Sequence, residues 1–146
     1  MFEFFKKKRP IEKDEHKIVS LPANDAVLQT YQEKAQDELQ YLIDFMNNNE
    51  RDEELFRYAI KANFIEGDNC EHMWVQVYEF KDDYFFGQLA NEPNTIELLK
   101  YGDNVKVFRE DVEDWILEDF LTNTKVGDFA SIYIKSNANK INGGFE

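Results

Sequence analysis

The 146-residue sequence has few of the side chains from which reactive sites are usually built. It contains one cysteine, two histidines and three serines, and its six glycines form neither a phosphate-binding loop nor a nucleophile elbow. The single cysteine, Cys70, excludes an internal disulfide, and it lacks the separated partners that cysteine catalysis needs. We therefore predict no catalytic residue and no cofactor, and we favour a protein that is not an enzyme.

Long apolar runs are also missing. No stretch approaches the roughly 20 apolar residues that a membrane-spanning helix requires. In residues 1–10 the phenylalanines precede the basic cluster Lys6–Arg9, which is the reverse of the order in a signal peptide. The sequence therefore predicts a cytoplasmic protein that does not bind membranes, with residues 1–20 as a flexible lead.

Positive charge is scarce beyond the first residues. The chain has 17 Lys and Arg against 30 Asp and Glu, which gives a net charge of −13. Residues 1–18 hold six basic and four acidic side chains, so residues 19–146 carry a net charge near −15. Such a surface repels nucleic acid and attracts a basic protein. An acidic surface also favours solubility alone, so the charge does not separate these two interpretations.

The sequence is rich in apolar and aromatic side chains, which favours one packed domain over residues 21–146. Hydrophobic residues make up 42% of the chain and aromatic residues 15%, with 13 phenylalanines. Asn24 and Asp25 suit a helix N-terminus, and Asn47–Asn49 suit its end. Between them a stripe with steps of three and four predicts a helix of about six turns, formed by Leu28, Tyr31, Ala35, Leu39, Leu42 and Met46.

Alternating segments then predict an antiparallel sheet. Residues 56–64 alternate apolar and polar side chains, as a half-buried strand does, and turn residues follow. Pro93 ends the sheet pattern, and Asn94 with Glu97 resembles a capping pair that opens a short helix through Leu99. Further strands are predicted at 72–80, 84–90 and 104–108, with a short segment at 112–117, while 129–134 fit a helix or a strand equally. The predicted fold class is α+β, a long N-terminal helix packed on a curved antiparallel sheet of four or five strands.

Several short motifs occur in a fixed order along the chain. They are Glu71-His72-x-Trp74-Val75, Gly87-x-Leu89-x-Asn91-Glu92-Pro93, Gly102-Asp103, Asp114-Trp115 and the terminal Gly143-Gly144-Phe145. In these motifs the chain resembles the YegJ-like bacterial domains of unknown function. The resemblance implies an α+β fold and transfers no activity. It also implies that residues 118–140 are an insertion relative to the family pattern.

The candidate ligand-binding residues are His72, Trp74, Asn91 and Glu92. Pro93 restricts Glu92 to an extended conformation, so a rigid loop could present Asn91 and Glu92 to a ligand. The alternative is that Asn91 bonds only to the backbone and Pro93 shapes a turn. No metal is predicted, because Cys70 and His72 fall short of the four ligands of a structural zinc site.

Partner binding is the other candidate function. Acidic side chains on expected loops would meet Lys and Arg of a basic partner, and the candidates are Asp82, Asp83, Glu110, Asp111 and Glu113. The concrete hypothesis is an immunity-type inhibitor of a basic toxin. The alternatives are a small-ligand-binding or hydrolytic domain with a site near His72, Asn91 and Glu92, and a self-associating scaffold unit. Convergence of those three side chains in one pocket would favour the ligand-binding alternative.

Overall fold

The computed structural model describes residues 26–49 and 54–130. The helical part comprises α1 (Ala26–Asp37) and α2 (Leu39–Asn48). Six strands and one 3-10 helix follow in the order β1 (Phe56–Glu66), β2 (Asn69–Lys81), β3 (Tyr84–Leu89), β4 (Asn104–Phe108), the 3-10 helix (Arg109–Asp111), β5 (Asp114–Asp119) and β6 (Thr124–Gly127). The predicted helix start at Asn24, residues 131–134 and the terminal glycine motif lie outside the described residues.

The two helical segments form one helix that bends at Glu38. There the amide of Tyr41 donates to the carbonyl of Glu38, a bond of the 3-10 type that tightens the turn. The predicted stripe is confirmed in its second half, since the residues of this face that lie in the core are Ala35, Leu39, Leu42, Ile43 and Met46. Leu28 and Tyr31 are only half-buried, so the first two turns extend past the main core.

All six strands pair antiparallel in the order β4-β3-β2-β1-β5-β6. The α+β class is therefore confirmed, but the predicted count of four or five strands is wrong. The additional strand is β6, which lies inside the predicted insertion 118–140 and forms a hairpin with β5. The sequence did not predict β6, because Thr124–Gly127 lacks apolar alternation and its side chains are largely exposed.

The core lies between the bent helix and one face of the sheet. Its β1 and β2 members are the alternating residues predicted from the sequence: Phe56, Tyr58, Ile60, Ala62, Phe64, Met73, Val75 and Val77. Trp115 of β5 is fully buried, and its indole Nε1 donates to the carbonyl of Ala35 over 3.0 Å. A buried Trp needs such a partner for its N–H group, and this bond fixes the helix over β5.

Gly87 marks a place where β2 and β3 approach closely. A Cβ at this position would lie 2.2 Å from the carbonyl oxygen of Gln76, so any side chain would push the strands apart. The ladder then changes register between Val77 and Glu79, where β2 contains a bulge.

The loop after β3 contains no helix, so the helix predicted for residues 94–99 is wrong. Its amides are bound instead by two carboxylates from the β1–β2 hairpin. Glu71 accepts from the amides of Asn94, Thr95 and Ile96 over 2.6, 3.1 and 3.1 Å. Glu66 accepts from the amides of residues 97 and 98 over 2.8 and 2.9 Å. Five successive N–H groups thus bond to carboxylates from a distant hairpin instead of starting a helix.

The connection from β4 to β5 positions the residues of the candidate site. The side-chain amide of Gln36 donates to the carbonyls of Arg109 and Val112, at 2.8 Å in each case. The amide of Glu113 then donates to the carbonyl of Lys61 over 2.8 Å, just before β5 begins. These bonds hold Glu113 beside the middle of β1.

Candidate functional site

Two of the four predicted ligand-binding residues, Asn91 and His72, have different hydrogen-bond partners. The side-chain oxygen of Asn91 accepts from the amide of Trp74 over 2.6 Å, and the amide of Ala90 donates to the carbonyl of Trp74. Asn91 therefore fastens the loop to β2, as its alternative structural interpretation stated. Glu92 is exposed. His72 has another partner, from outside this loop.

That partner is Glu113. Nδ1 of His72 lies 2.7 Å from Oε1 of Glu113. Their side chains differ in accessibility, since that of His72 is 44% exposed and that of Glu113 only 8%. Glu113 was expected on an exposed loop, and this expectation is wrong because the carboxylate turns inward over β1. The residues next to Glu113 in the sequence did not indicate that it pairs with a distant histidine.

A cavity of about 180 Å³ adjoins this pair. It lies where the first turns of α1 extend beyond the start of β5, and it is lined by Leu28, Gln32, Lys61, His72, Glu113, Asp114 and Ala130. Oε2 of Glu113 is buried and has no hydrogen-bond partner among the described residues. Lys61 lies with its ammonium 5.9 Å from the ring centroid of Trp74. Lys61, His72 and Glu113 therefore line one cavity, while Oε2 of Glu113 itself is packed away from it.

Asn63 is a second buried polar group near the pair. It is the cross-strand partner of His72, its side chain is 1% exposed, and neither amide atom has a hydrogen-bond partner in the described segments. Such groups cost about 1–3 kcal/mol each when they are left unpaired. Asn63 was not among the predicted site residues, although a polar residue flanked by Ala62 and Phe64 in an apolar strand was the available signal.

Asp114 lies beside Glu113 and supports the next loop. Its carboxylate accepts from the amides of Trp115, Phe129 and Ala130 over 2.8, 3.0 and 3.1 Å. Burial raises the pKa of Asp114 above its ordinary value, and the nearby charge of Asp128 adds to this, although the three hydrogen bonds oppose it. Asp114 thus closes one wall of the cavity with its oxygens already occupied.

The predicted partner-binding residues separate into an exposed and a buried group. Asp82 and Asp83 form the exposed turn between β2 and β3, and both have positive φ angles, 54° and 68°. The amide of Arg109 donates to the carbonyl of Asp83 over 2.9 Å, which brings the exposed Glu110 to the same end of the sheet. Asp111, like Glu113, is buried, at 7% exposure, so the expectation that it lies on an exposed loop is wrong.

Among residues 26–49 and 54–130, no group of three or more His, Cys, Asp or Glu is arranged to hold a metal ion. Cys70 is exposed on β2. None of the described helices is long and apolar enough to span a membrane.

The comparisons with known proteins agree with the motif resemblance. A family model described as "Uncharacterized protein conserved in bacteria (DUF2314)" matches residues 4–140. The chain is 28% identical over 82 residues to "Uncharacterized protein YegJ" of Escherichia coli K12, which covers 56% of this chain and 51% of YegJ. It is 37% identical over 51 residues to "Putative ankyrin repeat protein NMB1133/NMB1171" of Neisseria meningitidis serogroup B, covering 35% of this chain and 20% of that protein.

The chain thus spans about half the length of YegJ and a fifth of the ankyrin repeat protein. No solved structure matches it. Because the family model covers nearly the whole chain and YegJ is similar to it over 82 residues, the predicted resemblance is confirmed, and the chain belongs to the DUF2314 family of uncharacterised bacterial proteins.

Proposed function

We propose that this domain is a protein-binding module that uses the turn Asp82–Asp83 and the neighbouring Glu110 to bind a basic surface of a partner. An immunity-type inhibitor of a basic toxin is the concrete form of this proposal. The observation that carries it is the backbone of the turn, where two consecutive aspartates both have positive φ.

A two-residue hairpin loop with positive φ at both positions favours Asn-Gly or Asp-Gly. A side chain in this region carries a conformational penalty that glycine does not. Aspartate at the second position therefore destabilises the turn relative to glycine. A residue that is unfavourable for the fold but exposed at a tip is a reasonable candidate for binding.

The neighbouring cations do not all oppose this role. The guanidinium of Arg109 lies 5.9 Å from the ring centroid of Phe80, and its nitrogens lie 3.4 Å from the side-chain oxygen of Gln40. Arg109 is thus engaged with the domain itself. Lys81 is exposed at the same turn and reduces the local negative charge. The remaining excess of acidic groups would attract a basic partner and increase its association rate.

The test compares a variant that removes both charges of the turn with one that removes one charge and also relieves the backbone. Asp82→Asn with Asp83→Asn removes two charges while keeping side-chain shape and tolerance of positive φ. We expect the native domain to retain a basic protein from bacterial lysate at low salt, and this double variant to retain much less. Asp83→Gly should weaken retention while raising the free energy of unfolding by about 0.5 kcal/mol.

Asn123→Gly is the matched control, because Asn123 also has positive φ, at 58°, but lies in the β5–β6 turn. It should change the free energy of unfolding without changing retention of the partner. Retention that persists at high salt, or that is equal in the charge-neutral double variant, would contradict the proposal.

The alternative of a ligand-binding or hydrolytic domain built from His72, Asn91 and Glu92 required one shared pocket. Asn91 bonds to the backbone of Trp74, whereas His72 pairs with Glu113. No observation therefore favours that set of three residues as a site.

A further inference from the structure

The face of the sheet that turns away from the helix carries a row of uncharged polar residues. Gln76 of β2 lies opposite Gln88 of β3, which in turn lies opposite Asn104 of β4. All three residues are exposed, and none of their side-chain amides bonds to another part of the described chain. We call these three residues the carboxamide row. Neighbouring strands lie about 4.8 Å apart, so the row offers a donor and an acceptor at each step over about 10 Å.

A depression of about 160 Å³ lies beside this row. The exposed residues that line it include Gln76, Gln88 and Tyr78. Tyr78 is the residue that the bulge of β2 leaves without a cross-strand partner on β3. Bulges redirect side chains and often occur next to functional sites. The depression therefore brings two residues of the row together with an aromatic residue.

Tyr78 differs from three other aromatic residues of the sheet. Cations of the chain lie over the rings of Trp74, Tyr84 and Phe120, at 5.9, 4.6 and 5.3 Å from the ring centroids. Tyr78 has neither such a cation nor a ring contact among the described residues, and it is 41% exposed. An exposed ring of this kind can pack on the apolar face of a ligand while its hydroxyl remains in water.

The charges around the row favour a neutral ligand. Arg57 also lines the depression, but its guanidinium lies 3.3 Å from a carboxylate oxygen of Glu118 and 5.3 Å from the ring centroid of Phe120. Arg57 is therefore engaged with β5 and is not assigned to the ligand. The net charge of −13 repels a polyanion such as nucleic acid. The row itself carries no charge, so it matches a ligand that carries none.

The spacing of the row distinguishes between neutral polymers. An extended peptide presents side chains to one face every two residues, or about 6.7 Å, which does not match steps of about 4.8 Å. The sugar rings of an extended oligosaccharide follow one another at a spacing close to that of the strands. Their hydroxyls both donate and accept hydrogen bonds, as carboxamides do. A sugar ring also has an apolar C–H face, which suits an exposed tyrosine.

We propose that the carboxamide row and Tyr78 bind a neutral, extended oligosaccharide that runs across β2, β3 and β4. The carboxamides donate to and accept from hydroxyls of successive sugar rings, and the ring of Tyr78 packs on the C–H face of one sugar. A few polar groups beside an apolar surface are the usual means by which a site orients a ligand.

Two matched sugars test the required shape. Cellopentaose and maltopentaose have the same composition, but the β-1,4 linkages of cellopentaose give an extended ribbon and the α-1,4 linkages of maltopentaose give a coil. Each is titrated into the full ¹⁵N-labelled chain, and the side-chain amide signals of Gln76, Gln88 and Asn104 are followed. We expect cellopentaose to shift these signals with a Kd on the order of 1 mM and to bind about tenfold more tightly than maltopentaose.

Salt and a charged polymer complete this experiment. Because the ligand is neutral, the Kd for cellopentaose should be the same at about 20 and about 500 mM salt. The proposal would be overturned by equal binding of the two sugars, by tighter binding of a short oligothymidylate, or by unchanged side-chain amide signals up to about 10 mM cellopentaose.

Two variants test the assigned contacts. Gln88→Met removes the central carboxamide but keeps the length of the side chain, and Tyr78→Ala removes the ring. Each should lower the affinity for cellopentaose about fivefold or more. Gln40→Met and Tyr41→Ala are the controls, because both residues are exposed on α2, and they should leave the affinity unchanged. Unchanged affinity in folded Gln88→Met or Tyr78→Ala, or an equal loss in the controls, would show that the assignment is wrong.

Discussion

Two carboxylates, Glu71 and Asp114, each accept hydrogen bonds from three backbone amides, yet their pKa values move in opposite directions. Burial acts to raise the pKa of Glu71, but the bonds from Asn94, Ile96 and Thr95 outweigh it and leave the pKa lowered. Burial is the largest single influence on both carboxylates, and at Asp114 it also outweighs the hydrogen bonds taken together and leaves the pKa raised. The number of hydrogen bonds therefore does not decide the ionisation of a carboxylate, because the loss of water around it can be larger.

The difference follows from the position of each loop. Glu71 is half-buried at an exposed loop, where water still solvates part of the charge. Asp114 is buried between β1 and residues 128–130, and the negative charge of Asp128 is close. Glu71 thus stabilises its loop as an ion, whereas Asp114 stabilises its loop at the expense of burying a charge.

The largest expected effect comes from Asp114→Ala. This substitution leaves the amides of residues 115, 129 and 130 without their acceptor in a buried region, so the free energy of unfolding should fall by roughly 3 kcal/mol. Urea denaturation measures it. Asp119→Ala is the control, since Asp119 accepts from two amides in an exposed turn, over 2.9 and 3.3 Å. If both variants lose the same stability, burial is not what distinguishes Asp114.

Glu71→Ala should have a smaller effect, roughly 1 kcal/mol, because the freed amides of residues 94–96 can bond to water. Hydrogen exchange of these three amides should accelerate more than exchange in β3. A loss of stability as large as that of Asp114→Ala would refute the comparison between exposed and buried carboxylates.

The smallest expected effect is the dependence of stability on pH, which should have opposite signs for Glu71 and Asp114. The pKa of Glu71 is lowered from 4.5, so its contribution is complete above that pH and is lost as the pH falls through the folded-state pKa. The pKa of Asp114 is raised from 3.8, so its ionised form weakens the folded state, and this penalty disappears as the pH falls through the raised pKa.

The variants Glu71→Gln and Asp114→Asn isolate these contributions because neither amide titrates. On acidification from pH 7, the stability of the native protein relative to Glu71→Gln should decrease, and its stability relative to Asp114→Asn should increase. Parallel pH profiles for both differences would show that the two carboxylates are not distinguished by their surroundings.

The same contrast explains how far the sequence alone could lead. The alternation of β1 and the stripe from Ala35 to Met46 predicted buried faces correctly, because burial in a regular element repeats with its geometry. Asn94 and Glu97 suggested a helix because a capping pattern is local. The carboxylates that bind the amides of this loop in place of a helix belong to Glu66 and Glu71. They lie in a hairpin 23 to 32 residues earlier in the sequence.

The candidate site was predicted only in part, for a similar reason. His72 was predicted as a ligand-binding residue, but its pairing with Glu113 was not predicted. Glu113 and Asp111 belong to a strongly acidic stretch that resembles solvated surface, and only the short connection from β4 to β5 turns them inward. The cavity is lined by residues from segments that are far apart in the sequence. The spacing of residues along one strand therefore cannot predict it.

The binding of five consecutive loop amides by Glu66 and Glu71 also links two distant parts of the chain in their fluctuations. Opening the loop 94–98 breaks bonds to both ends of one hairpin turn, and fraying of that turn releases the loop. Segments coupled in this way open together as one cooperative unit. The β1–β2 turn and the loop after β3 should therefore share a common opening equilibrium, although they lie on different hairpins.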